Sequence, residues 1–399
     1  MKVNPIFPTT YFYGGKNLST SSELGSLRSR FPVFKKKIYL NSCSQGALSD
    51  ALENSLLEYM RGWHEDGSPW DRWVEQYEVA RTSFARFIGA EPEEVAVLSC
   101  VSNGISAIAS ALNFGGRRRK IVMGEFEFPT MGHIWLAQQP RGAQIQFVAA
   151  QNGQIPASAY AAAIDENTLM VPLTHVCFMN GARSDVGAIT KLAHERGALI
   201  MLDDYQDCGT RPIDVKAFDL DFYVSGALKY LLCPSGIAFM YVRPELIRRL
   251  TPTITGWFGQ QTPFAFDVKH FDPASSARRF ESGSPPLPHA IAITTALELL
   301  ARAGFDQIAS HVATLTRALM DGARQLKIKM KTPADSCGPL VVLQMKDAEA
   351  VVKKLASQSI VVSNRMDGLR VAFHAYNTID DVHAVLAALE KNIDLVVRD

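Results

Sequence analysis

Lys229 and Asp203 are the residues of this chain whose types and spacing most clearly suggest chemistry. A lysine amine can form a Schiff base with a carbonyl group, and a carboxylate can hold the proton of a heterocyclic nitrogen. Lys229 stands in DFYVSGALKYLLCPSG, residues 221–236, and Asp203 closes the apolar run at residues 198–202. Taken alone, a loop lysine is a solvated charge. Asp203 and Asp204 could equally form a strand-end Asx turn. The case for both rests on the elements around them.

Apolar segments of strand character recur at residues 95–99, 120–125, 144–150, 169–175, 199–203, 221–224 and 236–242. Amphipathic helical spacing fills gaps at 103–112 and 188–197. This alternation predicts an α/β fold: a large domain with a seven-stranded, mostly parallel sheet covered on both faces, ligands sitting beyond the carboxyl ends of the strands. Asp203 ends one strand and Lys229 lies just past another, so both point to one crevice. Further on, helical spacing at 288–303 and 305–325 precedes strand patterns at 327–331, 340–345, 360–365 and 369–373, with helices at 347–358 and 378–391. These predict a smaller α/β domain. The expected division is an N-terminal arm and part of the small domain at 1–50, the large domain at 51–260, and the C-terminal small domain at 261–399. The first 38 residues read as an extended arm laid on a partner subunit.

Composition sets limits. A chain of 399 residues with 47% hydrophobic content can bury a large core. A formal net charge of +1 gives no general attraction to nucleic acid or to a membrane surface. The dense basic run Arg117, Arg118, Arg119 and Lys120 follows two glycines and reads as a solvated turn. The six cysteines show neither paired nor metal-ligand spacing, as expected of reduced thiols in a cytoplasmic protein without a bound metal. Neither a leader pattern nor an 18-residue apolar run is visible, so no membrane partner is expected.

The ordered pair LIMLDDYQDCGTRPIDV and DFYVSGALKYLLCPSGIAFMYVR, residues 199–215 and 221–243, resembles fold type I enzymes dependent on pyridoxal 5'-phosphate (PLP). Within them it resembles the class V aminotransferase family of kynureninases, cysteine desulfurases and isopenicillin N epimerase-like proteins, from about residue 39 to 389. The resemblance implies an enzyme acting on a small amino-acid substrate. It also implies that Lys229 carries the cofactor as a Schiff base, that Asp203 keeps the pyridine nitrogen protonated, and that Gln206 bonds the ring phenolate oxygen. In SCVSNGISAIA, residues 99–109, Ser102 and Asn103 match phosphate contacts, although a Ser/Asn helix cap explains them as well. In GEFEFPTMGHIW, residues 124–135, Phe128 matches the ring lying over the cofactor, or is a core phenylalanine; Glu127 and Trp135 follow the family pattern. In RRFESGSP, residues 278–285, Ser284 matches a hydroxyl that reaches the partner subunit's phosphate, which implies a homodimer with shared sites. Arg370 matches the arginine that grips the substrate α-carboxylate, although an arginine on an edge strand is ordinarily solvated. Side-chain recognition is expected from loop residues such as Asn41, Ser42, Cys43, Trp63 and Trp70.

Departures from the family pattern bear on the reaction. The turn before Arg370 holds Asn364, Arg365, Met366, Asp367 and Gly368, where desulfurases carry their persulfide cysteine. Cys337 reads as a strand-edge residue. Gly226 and Leu228 stand where desulfurases have a serine and a histidine, whereas LKYL at 228–231 and GWFG at 256–259 look more like kynureninases. Trp257 is then a substrate or phosphate contact, or a core tryptophan. A kynureninase-like lyase working at the β carbon is the leading expectation, with an aminotransferase as the alternative.

Overall fold

The computed structural model describes residues 21–399. The sheet has the strand order Val95–Leu98, Ala238–Val242, Phe222–Gly226, Leu199–Asp203, Thr168–Thr174, Lys120–Gly124 and Gln144–Val148. Ala238–Val242 is antiparallel to both neighbours, and every other pairing is parallel. Alternate side chains serve opposite faces. Ile200 and Leu202 enter one core with Val171 and Leu173, while Met201 enters a second core with Met170 and Val224. Burial on both faces is why these strands read as continuous apolar runs.

Helices Trp70–Phe87, Val186–Glu195 and Leu287–Ala303 supply the first core. Val101–Ala111 and Pro129–Leu136 supply the second. A buried carboxylate ties the first strand to the C-terminal half. Glu281, inside the RRFESGSP motif, accepts hydrogen bonds from Val97 N at 3.0 Å, Tyr77 Oη at 2.8 Å and Arg81 Nη1 at 2.5 Å.

The C-terminal region builds a three-stranded antiparallel sheet with Gly368–Ala372 between Ser363–Arg365 and Leu340–Gln344. Arg370 therefore lies on the central strand and is buried, not on a solvated edge. The strand expected at 360–365 divides at Val362: Ile360–Val361 pairs with Ile38–Tyr39, and Ser363–Arg365 turns to the other sheet. Residues 327–331 make only isolated bridges, beginning from a left-handed Lys327 at φ 55°. Asn41 bridges to Ala372, so the two ends of the chain meet.

Two further expectations are corrected. Residues 21–38 are folded against their own chain, with a helix at Ser21–Leu27 and 3-10 turns at Arg28–Arg30 and Pro32–Lys35. Leu27 and Phe31 are buried in the main core, and Arg28 Nη1 donates to Asp381 Oδ2 at 2.8 Å. The remainder of the expected arm lies outside the described residues. Trp63 and Trp70 are helical rather than on loops. With Tyr59 and Trp73 they form a cluster on the helices Asp50–Asp66 and Trp70–Phe87, ring centroids 5.4–6.2 Å apart. Among the described residues no helix is long and apolar enough to cross a membrane.

Candidate active site

Lys229 sits in the turn that follows Phe222–Gly226, and residues 41–47 cross directly over it. Gly46 N donates to Leu228 O at 2.8 Å. A side chain at Gly46 would begin 2.3 Å from the Lys229 carbonyl oxygen, so only glycine permits the crossing. The Lys229 side chain is buried, with Nζ 4.3 Å from the centre of the Tyr205 ring and 5.8 Å from that of Phe128. Burial pushes its amine down to about 8; Asp203 and Cys43 oppose this shift, while Arg370 and Arg365 add to it. The lysine is thus shifted toward the neutral, nucleophilic form.

Asp203 ends its strand beside Thr174 and Val224. Its Oδ1 accepts from Tyr205 N at 3.0 Å, so the Asx turn exists and the carboxylate still lies in the crevice. Burial raises its carboxyl to about 6, with the Tyr205 amide and Lys229 favouring the charged form and Asp204 disfavouring it. Gln206 is buried, donates from Nε2 to Cys43 O at 3.2 Å, and has no partner for Oε1 among the described residues. Behind these residues lies a network that the sequence reading missed. His175 Nδ1 meets Asp204 Oδ1 at 2.6 Å, Tyr223 Oη donates to Asp204 Oδ2 at 2.8 Å, and Arg183 Nη2 pairs with Asp207 at 3.2 Å. The run of acids at 203, 204 and 207 was its visible signal: three neighbouring carboxylates must be compensated if they are buried.

At the start of Val101–Ala111 the N-cap position is Cys100, not a serine or asparagine. Ser102 Oγ lies 3.2 Å from Thr130 Oγ1, and Asn103 Nδ2 donates to Ser99 Oγ at 2.7 Å. The cap itself lacks a side-chain bond, and although Asn103 N donates to Cys100 O at 3.2 Å, the end of the helix carries no side-chain acceptor in the place of an anion. Thr130 is an addition to the expected set. Phe128 caps the neighbouring helix, is 43% exposed, and meets Phe178 edge-on at 5.1 Å, which excludes the core reading. Glu127 is held by Thr174 N at 2.9 Å and Thr174 Oγ1 at 2.7 Å, and burial pushes it up to about 7.

Tyr205 was not singled out from sequence. Its ring lies across Gly226: a β carbon there would be 1.8 Å from Tyr205 Cε2 and 2.3 Å from Oη. The aromatic at 205 and the glycine at 226 are therefore one packing decision, and the absence of a serine at 226 has a steric cause.

Arg370 approaches from the small sheet. Nη2 donates to Ser44 Oγ at 2.7 Å and Ser363 Oγ at 2.9 Å, Nη1 donates to Phe178 O at 3.3 Å, and Nε has no partner among the described residues. A buried guanidinium that meets only neutral oxygens is poised for a carboxylate. Asn41 Oδ1 is 3.8 Å from Cys43 Sγ, at the rim of the same pocket. Trp257 and Ser284 are elsewhere. Trp257 packs on Phe258 at 4.6 Å, and Ser284 is exposed. Their motifs touch, with Phe258 N donating to Ser282 O at 3.3 Å, but within one chain neither residue contacts Lys229.

Strand-end lysine and aspartate facing each other over a seven-stranded mixed sheet define the fold type I arrangement. The chain superimposes on the apo structure of a cysteine desulfurase from Thermococcus onnurineus with a TM-score of 0.84 and 22% identity, covering 93% of this chain and 98% of that one. The Aminotransferase class-V profile matches residues 47–385. The chain belongs to the class V aminotransferase family, and it is a PLP-dependent enzyme. An uncharacterized aminotransferase of Bacillus subtilis is 31% identical over 92% of this chain and 97% of its own length. A kynureninase of Shouchella clausii is 26% identical over 97% and 95%. The residues present fit the cofactor. Lys229 Nζ lies between two aromatic rings, among the described residues Asp203 makes no ion pair, and Gln206 has an open hydrogen-bonding position.

Proposed function

We propose that this enzyme is a lyase acting at the β carbon of an amino acid, in the manner of its kynureninase relatives. The observation that carries the amino-acid part is Arg370, buried, without an acidic partner, and electrostatically coupled to Lys229. Bound PLP supplies an aldehyde for an amine and a pyridinium ring that accepts electron density from the substrate α carbon. Lys229 would hold the aldehyde and supply the amine that moves the proton at the substrate carbon. Asp203 holds the proton on the ring nitrogen, and Gln206 bonds the ring oxygen. Ser102, Asn103 and the first amides of Val101–Ala111 receive the phosphate. Phe128 and Tyr205 flank the ring, Arg370 fixes the α-carboxylate, and Asn41 lines the substrate side.

The lyase part is supported by the LKYL and GWFG motifs and by the relatives named kynureninase. An aminotransferase is the second reading, favoured by the B. subtilis relative's name. A homodimer belongs to the proposal: Phe264, Phe266, Val268 and Phe271 are exposed beside Trp257, on the side of the Ser284 motif. The division at 1–50, 51–260 and 261–399 and a cytoplasmic location, consistent with six free cysteines, complete it. The test is incubation of the PLP-loaded enzyme with an amino-acid panel. Release of ammonia with pyruvate, or of alanine, identifies the lyase; amino transfer that requires an added keto acid identifies the transaminase.

A further inference from the structure

The hairpin that carries Arg370 brings a second guanidinium to the same face. Ser363 is the register partner of Arg370, and Arg365 is the partner of Gly368. With side chains alternating along each strand, Ser363, Arg365 and Arg370 project from one side of the small sheet. That side looks onto the pocket. Ser363 Oγ receives Arg370 Nη2 and lies 3.9 Å from Cys43 Sγ. Val342, opposite Arg370 on the other neighbouring strand, packs with Cys43 and with Tyr230, the residue after Lys229.

Among the described residues Arg365 makes no ion pair with an acid. Its Nη1 donates to the adjacent carbonyl of Asn364 at 2.8 Å. The acid of the hairpin turn, Asp367, is already taken by Lys331 and by Gln344 Nε2, the latter at 2.9 Å. Among the described residues Lys229, Arg370 and Arg365 make no ion pair, although three cations share this end of the pocket. Each arginine holds the Lys229 amine down, and Arg370 adds to burial in lowering the Arg365 guanidinium. Uncompensated like charges brought together are unfavourable until an anion arrives. One guanidinium accounts for an α-carboxylate, and the second is left over.

We propose that Arg365 binds a second anionic group on the substrate side chain, so that the enzyme acts on dianionic amino acids of the side-chain carboxylate type. This rests on the reading in which Arg370 takes the α-carboxylate, and it implies that the β substituent, or the group attached to it, carries negative charge. Arg365 is itself exposed, next to the turn residue Met366, so it meets the distal end of an incoming substrate at the solvent side while Arg370, buried, meets the α end.

The test uses calorimetric titration of the PLP-loaded enzyme with succinate and with butyrate, which share a four-carbon chain and differ by one carboxylate. The parent should bind succinate at least about 10-fold tighter, the scale of one charge-assisted hydrogen-bond pair. Arg365→Gln should abolish that preference while leaving butyrate affinity within about 2-fold. Arg370→Gln should weaken both acids, and Arg370→Lys, which retains the buried charge, guards against loss of fold. Equal affinity of the parent for the two acids, with Arg370→Gln still weakening both, overturns the assignment of Arg365 and leaves the proposed function standing. Affinities insensitive to Arg370→Gln, or no binding of either acid at millimolar concentration, overturn both.

Discussion

The lowered amine of Lys229 makes a signed prediction. Its pKa falls from 10.5 to about 8 because the side chain is buried, and Asp203 and Arg370 act on it in opposite directions. At pH 7 an amine of pKa about 8 is neutral about one-tenth of the time, whereas at 10.5 the neutral fraction is about 3 in 10,000. The apoenzyme should therefore present about 300 times more nucleophilic amine at neutral pH than an exposed lysine does. The assay is timed addition of PLP to apoenzyme from pH 6 to pH 10, trapping with borohydride, and quantitation of the labelled peptide containing Lys229. Labelling should rise with pH through a midpoint near 8 and level off above about 9. Asp203→Asn removes an anion that favours the charged amine, so its midpoint should move to lower pH. Arg370→Gln removes a repulsive cation, so its midpoint should move higher. A rate that climbs unbroken to pH 10, or two variants that shift the same way, refutes the account.

Glu281→Ala leaves the buried Arg81 guanidinium and the Val97 amide without their acceptor, and should cost about 3–5 kcal/mol by chemical denaturation; a loss below about 1 kcal/mol contradicts the buried pairing. Gly226→Ser collides with the Tyr205 ring and should lose at least about 1–3 kcal/mol, while adding Tyr205→Ala should restore stability, a coupling readable in a double-mutant cycle. Asp203→Asn should keep the fold by circular dichroism but lose turnover by several powers of ten, near-normal rates being the contrary result. Single replacement of the six cysteines by serine should leave turnover within a few-fold, and no persulfide should form on the protein from cysteine, since the turn before Arg370 carries no thiol.

The large sheet was legible because its strands are buried on both faces, and runs such as residues 199–203 and 236–242 need no partner to declare themselves. Asp203 and Lys229 follow from strand ends, where position along the chain translates directly into position in space. Other parts depended on long-range packing. Arg370 looks like an edge residue because its hairpin partner Ser363–Arg365 is adjacent in sequence, whereas the strand on its other side, Leu340–Gln344, lies much further upstream. Tyr205 resembles any aromatic after a strand until Gly226 is seen beneath it. The helices Asp50–Asp66 and Trp70–Phe87 went unread: tryptophans at 63 and 70 draw attention as recognition residues, although each packs against Trp73. Glu281 sits inside a recognised motif, but its partners lie far upstream at Tyr77, Arg81 and Val97.

The crossing of residues 41–47 over the Lys229 turn also bears on how the protein is made. Translation delivers that segment first, yet the groups that fasten it arrive last: Ile360–Val361 for Ile38–Tyr39, Ala372 for Asn41, and the Tyr376 hydroxyl, 2.6 Å from Ser42 Oγ. On the ribosome, the sheet and Lys229 are complete while the cover is held only by its contacts to the Lys229 turn and to Gln206, without these C-terminal fastenings. The vitamin-derived cofactor therefore meets a finished pocket only after the last strand has left the exit tunnel. A chain cut short before residue 376 lacks these fastenings and leaves the cover over the reactive amine loosely held, within reach of any free cellular aldehyde.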